Sequence, residues 1–363
     1  MSALYALRFF GSIGIFMHHI GYPYGLGSIL VTFFFILSGF TTAYSFKKEN
    51  FVLNKSTLKK YYIKKVSKLY PLHIFTFLLS IPMMGYMQQK ISFVQGIINI
   101  CLLQSYYPNQ KEVFLFNGLS WFMADILFFY IVIPFVYRLI TKLRIERNLA
   151  TLIFSGLVIY CISFIISYQF KGNMEAYTFG WWYIYISPYF RVLDCLIGFL
   201  AGLAFVKIKE RLTDKLNNSK LIVFTFMEIL SLLFSYLAYK SKLFQIDSVR
   251  CGVYYIPVLT LIIFVFALGK GFISKGMSIK VLVHLGEKSN VIYMLHQMVI
   301  FYTTYLFGST IYYSDKMTLN TYFAQFYLLI IVLCISDVVN KIIDMVPGLI
   351  KNRSNNLKMM SKI

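Results

Sequence analysis

The stretch LYALRFFGSIGIFMHHIG, residues 4–21, is apolar along most of its length, yet it carries Arg8 and His19. Membrane-spanning helices normally exclude both groups, because a charged side chain near the bilayer core is costly; an intramembrane Arg or His therefore reads as functional by default. Helical steps of about 100° place Arg8 and His19 about 20° apart around the axis and about 16 Å apart along it. They should face the same interior. His18 falls about 80° from Arg8 on the same wheel, so His19 is the histidine aligned with the arginine.

Composition agrees with a helix in lipid. The 363 residues are 58% hydrophobic and 13% charged, with a mean hydropathy of +0.68; an ordinary soluble domain has about twice that charged fraction. The expected fold class is all-α: a polytopic integral membrane protein. The first segment has a short uncharged N-terminus and no small-residue cleavage site, so it is expected to stay as a helix. Cys161, Cys195 and Cys334 lie in apolar runs and no CxxC spacing occurs. These cysteines read as packing residues, with neither a disulfide framework nor a metal site.

Apolar stretches long enough to span about 30 Å lie near 4–20, 28–46, 69–87, 119–140, 149–169, 190–206, 221–239, 252–269, 289–308 and 320–340. An eleventh, FVQGIINICLLQSYY at 93–107, is short and polar-flanked. Loop charges decide it. If 93–107 does not cross and the N-terminus is cytoplasmic, the inner loops 47–68, 138–148, 207–220 and 270–288 and the tail 341–363 hold 26 Lys and Arg, against seven in the outer loops. A crossing at 93–107 would move 18 of the 26 outside, against the positive-inside rule. The expectation is about ten spanning helices with both termini inside, and 93–107 as an interfacial or re-entrant piece of the outer loop. The same placement gives the net charge of +21 a membrane meaning and argues against nucleic acid as partner. Residues 1–345 read as one transmembrane domain and 346–363 as a basic cytoplasmic tail, with no appended extracytoplasmic domain.

Further patterns follow in order: FFFILSGF (33–40), KKVSKLYP (64–71), SWFMADILFFYIVIPF (120–135), RVLDCLIGFLAG (191–202) and IYMLHQMVI (292–300). Together with Arg8-x10-His19, this series resembles the acyltransferase-3 family of polytopic membrane acyltransferases, which O-acylate cell-surface polysaccharides and related hydroxylated acceptors. The resemblance runs from about residue 4 to 340. Two positions depart from the family pattern. Lys64, Lys65 and Lys68 stand where arginines are usual, which keeps the charge and loses the bidentate fork. Ile126 stands where a glutamate is usual, with Asp125 one position earlier.

The resemblance implies an acyl-coenzyme A donor reaching the protein from the cytoplasm, its anionic head held by Lys64, Lys65 and Lys68 beside Tyr70, and no metal. A sugar hydroxyl is a poor nucleophile until its proton is removed, and a neutral imidazole suits that task. His19 is the expected general base, a transient acyl-histidine staying open, and Arg8 the residue holding the carrier's phosphates or pantetheine arm. Ser38, Trp121, Asp125, Arg191, Asp194 and His296 are further candidates from the motifs.

Plainer readings stand beside these. Arg8 can snorkel to lipid headgroups; the lysines also serve as a topology signal and a contact for anionic membrane lipids. Arg191 and Asp194, at i and i+3, read as an ion pair. His296 reads equally as a structural hydrogen bond or as part of a reaction chamber, and His73 as a headgroup-level residue. Glu228, Asp337 and Asp125 are isolated acids in apolar runs. The expected activity is transfer of an acetyl or succinyl group to a hydroxyl of an extracytoplasmic polysaccharide or glycolipid. A flippase for a lipid-linked substrate is the alternative without acyl transfer; a membrane-bound O-acyltransferase of the other type is disfavoured by the motif histidine on the first helix. Frequent Lys, Asn, Ile, Tyr and Phe suggest an AT-rich bacterial genome and hence a bacterial plasma membrane.

Overall fold

The computed structural model describes residues 1–22, 26–213, 221–241, 243–308 and 319–360, and every regular element among them is helical. The first half runs through α1 (Ala3–His19), α2 (Leu26–Lys48), α3 (Lys55–Tyr86), α4 (Phe93–Ile100), α5 (Gln110–Val113), α6 (Ser120–Lys142), α7 (Leu149–Gln169) and α8 (Phe179–Trp181). The second runs through α9 (Pro188–Thr213), α10 (Leu221–Lys240), α11 (Asp247–Arg250), α12 (Ile256–Leu268), α13 (Phe272–Met277), α14 (Lys280–Glu287), α15 (Ser289–Phe307) and α16 (Leu319–Met360). Each of the ten expected apolar stretches lies on a helix. Parts of the loops and tail used in the charge count, 214–220, 309–318 and 361–363, lie outside the described residues.

Among the described residues, seven stretches are long and apolar enough to cross a membrane: α2, α3, α6, α7, Phe179–Glu210, α10 and Leu319–Met345. The other three expected spans are helices of 17 (α1), 13 (α12) and 19 (α15) residues. Their outward faces require lipid. In the most apolar windows of α7 and α10 only 11% and 17% of residues are buried, against 72% in α2, and side chains such as Phe154, Ile165, Ile222 and Phe226 stand exposed. In water such a surface would aggregate. The chain is a multi-pass membrane protein.

At the centre, α2 packs against α9 so closely that their backbones touch. A Cβ on Gly39 would sit 1.9 Å from the Cys195 carbonyl oxygen, and one on Gly198 would sit 2.0 Å from that of Ile36. Small residues permit such approach where no hydrophobic force drives helices together. The FFFILSGF and RVLDCLIGFLAG motifs are thus two halves of one contact.

Two of the isolated acids find partners. Glu228 on α10 accepts from the amides of Ile273 (3.0 Å) and Ser274 (3.3 Å) at the start of α13, a carboxylate satisfying donors that a helix cannot satisfy itself. Asp337 on α16 pairs with Lys288 and, at 2.8 Å, with Lys341.

The 93–107 piece contains only α4, eight residues or about 12 Å, too short to cross. Ser92 caps it, accepting from the Gln95 amide while the Gln95 side chain accepts from Ser92, and Phe93, Val94 and Ile97 remain exposed on it. The rest of residues 93–118 is tied into the bundle. His73 Nε2 lies 2.9 Å from the Asn99 carbonyl, Trp182 Nε1 donates to the Ser105 carbonyl at 3.1 Å, and Asn117 Nδ2 to that of Met294 at 2.9 Å. His73 is fully buried and anchors this segment.

Candidate active site

α1 lies along α15, and both of its unusual side chains turn to that partner. Near the N-terminal end, Arg8 Nη2 donates to Asn290 Oδ1 at 2.8 Å. At the C-terminal end, His19 Nδ1 lies 2.9 Å from His296 Nε2, with the ring centroids 5.0 Å apart. The shared face expected from the helix wheel is present.

The backbone fixes the proton positions of the histidine pair. His296 Nδ1 lies 3.1 Å from the Ile292 carbonyl, which can only accept, so neutral His296 carries its proton on Nδ1 and a lone pair on Nε2. His19 must then donate through Nδ1, which places its own lone pair on Nε2. The His19 ring also reaches the Ile15 carbonyl one turn earlier, consistent with the same tautomer.

Both His18 and His19 line a cavity of about 160 Å³, together with Trp121, Tyr185, Tyr293 and Gln297, and with Phe114, Gly118 and Leu119 from the segment before α6. His18 packs over Gly27, where a Cβ would sit 2.6 Å from its ring. Only His19 has the histidine partner.

The lysine run divides. Lys64 binds Glu49 at 2.7 Å, and this contact holds the Glu49 carboxyl below its ordinary range. Lys65 turns inward, its ammonium 3.9 Å from the centre of the Tyr130 ring. Lys68 comes within electrostatic reach of Arg8 and Tyr130. Among the described residues no carboxylate lies within ion-pair distance of Arg8, Lys65 or Lys68; Glu49 acts on Lys65 and Asp344 on Lys68 only from farther off. Tyr70 stacks edge-on against His73 at 5.9 Å; Tyr130 occupies the place beside the lysines. Tyr130 and Asn290 were not singled out from the sequence, since an aromatic and an amide in apolar runs give no periodic signal.

Ser38 lies inside α2, its carbonyl accepting from Thr42 at 2.7 Å, next to the Gly39 contact. Trp121 and Tyr185 both line the cavity, their ring centroids 5.3 Å apart. Arg191 and Asp194 form the expected ion pair at 2.9 Å, almost wholly buried, and Arg191 also donates to the Tyr185 carbonyl at 2.9 Å and to Thr32 Oγ1 at 3.2 Å. It thereby fixes the backbone of one lining residue, Tyr185. Asp125, one turn along α6 from Trp121, is buried, with the Ser105 hydroxyl as its nearest hydrogen-bonding group and Arg191 within electrostatic reach.

The arrangement sets the His19–His296 pair beside a cavity and brings Arg8 of α1 within electrostatic reach of Lys65 and Lys68 of α3. Residues 1–339 match the acyltransferase domain family. A similar protein is the acyltransferase MdmB of Streptomyces mycarofaciens, 25% identical over 87% of this chain and 83% of that protein. No solved structure matches. The flippase alternative, which lacks acyl transfer, falls to the family match. With its first helix, its motif series and nearly its whole length inside that match, the chain belongs to the acyltransferase-3 family and is an O-acyltransferase.

Proposed function

We propose that the protein moves an acyl group, acetyl or succinyl, from cytoplasmic acyl-coenzyme A to a hydroxyl of an extracytoplasmic polysaccharide or glycolipid in a bacterial plasma membrane. What supports this reading is that Arg8, Lys65 and Lys68 lie within electrostatic reach of one another with no carboxylate at ion-pair distance among the described residues. Arg8 and His19 are separated by about 16 Å along α1, which suits a carrier with a polyanionic head and a long thin arm ending in a thioester. Cations without carboxylate partners inside a membrane protein are costly, and phosphates would relieve that cost through charge-assisted hydrogen bonds.

His19 takes the acceptor hydroxyl's proton on Nε2. His296 accepts from His19 Nδ1, which fixes the ring and its tautomer. This is the orienting role that a third group plays for a catalytic base. The test is direct: purified protein is given isotopically labelled acetyl- or succinyl-coenzyme A, and surface glycans from cells with and without the gene are compared by mass spectrometry. A mass difference of one acyl unit supports the reading; glycans of unchanged mass, together with protein that neither binds nor consumes the thioester, refute it.

A further inference from the structure

Gln297 follows His296 on α15 and lines the same cavity as His19. Its Oε1 is buried and unpartnered, and its carboxamide makes no hydrogen bond to any described residue. Buried polar side chains are almost always bonded, and leaving one unmade costs stability. An amide held without a protein partner, next to the catalytic pair, is provision for a ligand. Gly118, which lines the same cavity, lies against this amide: a Cβ there would crowd Oε1 at 3.3 Å and touch Nε2 at 3.5 Å, so the glycine leaves the carboxamide uncrowded.

We infer that Gln297 is a catalytic residue, its amide N–H groups donating to the oxyanion that forms on the thioester carbonyl. The inference rests on the acyl-coenzyme A reading above. In the step, the acceptor oxygen bonds to the carbonyl carbon as its proton passes to His19 Nε2, and the carbonyl π pair moves onto oxygen. That pair then returns, the C–S bond breaks, and the proton leaves His19 for the departing thiolate. Negative charge on the carbonyl oxygen exists only between these events, so a donor aimed there acts on rate and not on donor affinity.

The experiment compares wild type, Gln297→Leu and Gln297→Glu, all full-length in detergent micelles. Donor affinity is read with a coenzyme A thioether that cannot transfer. Both substitutions remove the N–H donors, and the glutamate keeps the side-chain shape. Expected is a fall in kcat of about 10²–10³-fold in each, with thioether affinity and thermal stability near wild type. Wild-type kcat in Gln297→Leu, or a loss carried entirely by thioether affinity, overturns the inference. If Gln297→Leu does not fold, Gln297→Glu alone decides: retained kcat overturns the inference and a lost one supports it. Wild-type protein without acyl transfer from coenzyme A instead overturns the function proposed above, and so separates the two failures.

Discussion

His19 and His296 come from opposite ends of the chain and meet at 2.9 Å, Nδ1 to Nε2, with the second ring pinned by the Ile292 carbonyl. This contact fixes which nitrogen of His19 can accept a proton. His19→Ala is expected to lower acyl transfer by about 10²–10⁴-fold, the range for a positioned general base, while membrane insertion is unchanged. His18→Ala should keep substantial activity, since His18 has no such partner. Steady-state transfer by both variants at matched abundance checks this, and near-wild-type transfer by His19→Ala would remove the site assignment.

His296→Ala leaves His19 without its orienting acceptor. The expected result is a kcat reduced about 10–100-fold, on the scale seen when the partner that orients a functional histidine is lost, with the donor's KM unchanged. A change in KM alone would mean that His296 touches the donor instead.

The three lysines should separate. Lys64 is exposed and held by Glu49, so Lys64→Ala should change donor affinity little. Lys65→Ala and Lys68→Ala, next to Arg8, should each weaken acyl-coenzyme A binding. Wild-type affinity should fall as salt rises, because the cluster is partly open to solvent and screened. Equal effects from all three in binding titrations would return the run to a topology signal alone.

Gly39→Ala drives a methyl into the Cys195 carbonyl, and the two backbones cannot both stay in place. Overpacking of this kind costs about 1–3 kcal/mol or more, read as a lowered unfolding temperature in detergent. Gly156→Ala on α7, where a Cβ meets nothing within 4 Å, is the control that should change stability little.

Single-cysteine labelling tests sidedness. Positions 55 and 275 should react only from the cytoplasm and position 110 only from outside. Labelling of 55 and 110 from one side would mean that 93–107 crosses.

Much of this was readable in the chain. Hydropathy located every long helix, because a bilayer leaves the backbone almost no alternative to one, and the wheel angle between Arg8 and His19 predicted their common face. The identity of what that face meets was not readable. Asn290 and His296 lie more than 270 residues away in sequence, and only the packing of α15 along α1 brings them there. Gln297 gave no signal beside its neighbour, since one amide in an apolar run resembles any other. The lysines misled in one respect: Lys64 goes to Glu49, while Lys65, about 100° around the helix from it, turns to the Tyr130 ring. Asp125 was visible as an oddity, but not that the Ser105 hydroxyl and Arg191, 20 and 66 residues away in sequence, would be its neighbours.

The segment before α6 contributes Phe114, Gly118 and Leu119 to the cavity and is fastened through Asn99, Ser105 and Asn117 to three different parts of the bundle. Each bond is worth only about 0.5–1.5 kcal/mol, but lifting the segment would mean breaking all of them together. It is masonry and not a door. The cavity's shape is therefore set jointly by this segment and by α1, α2, α6 and α15, which with Tyr185 supply its other lining residues, so a change in how any one of them packs is felt at His19.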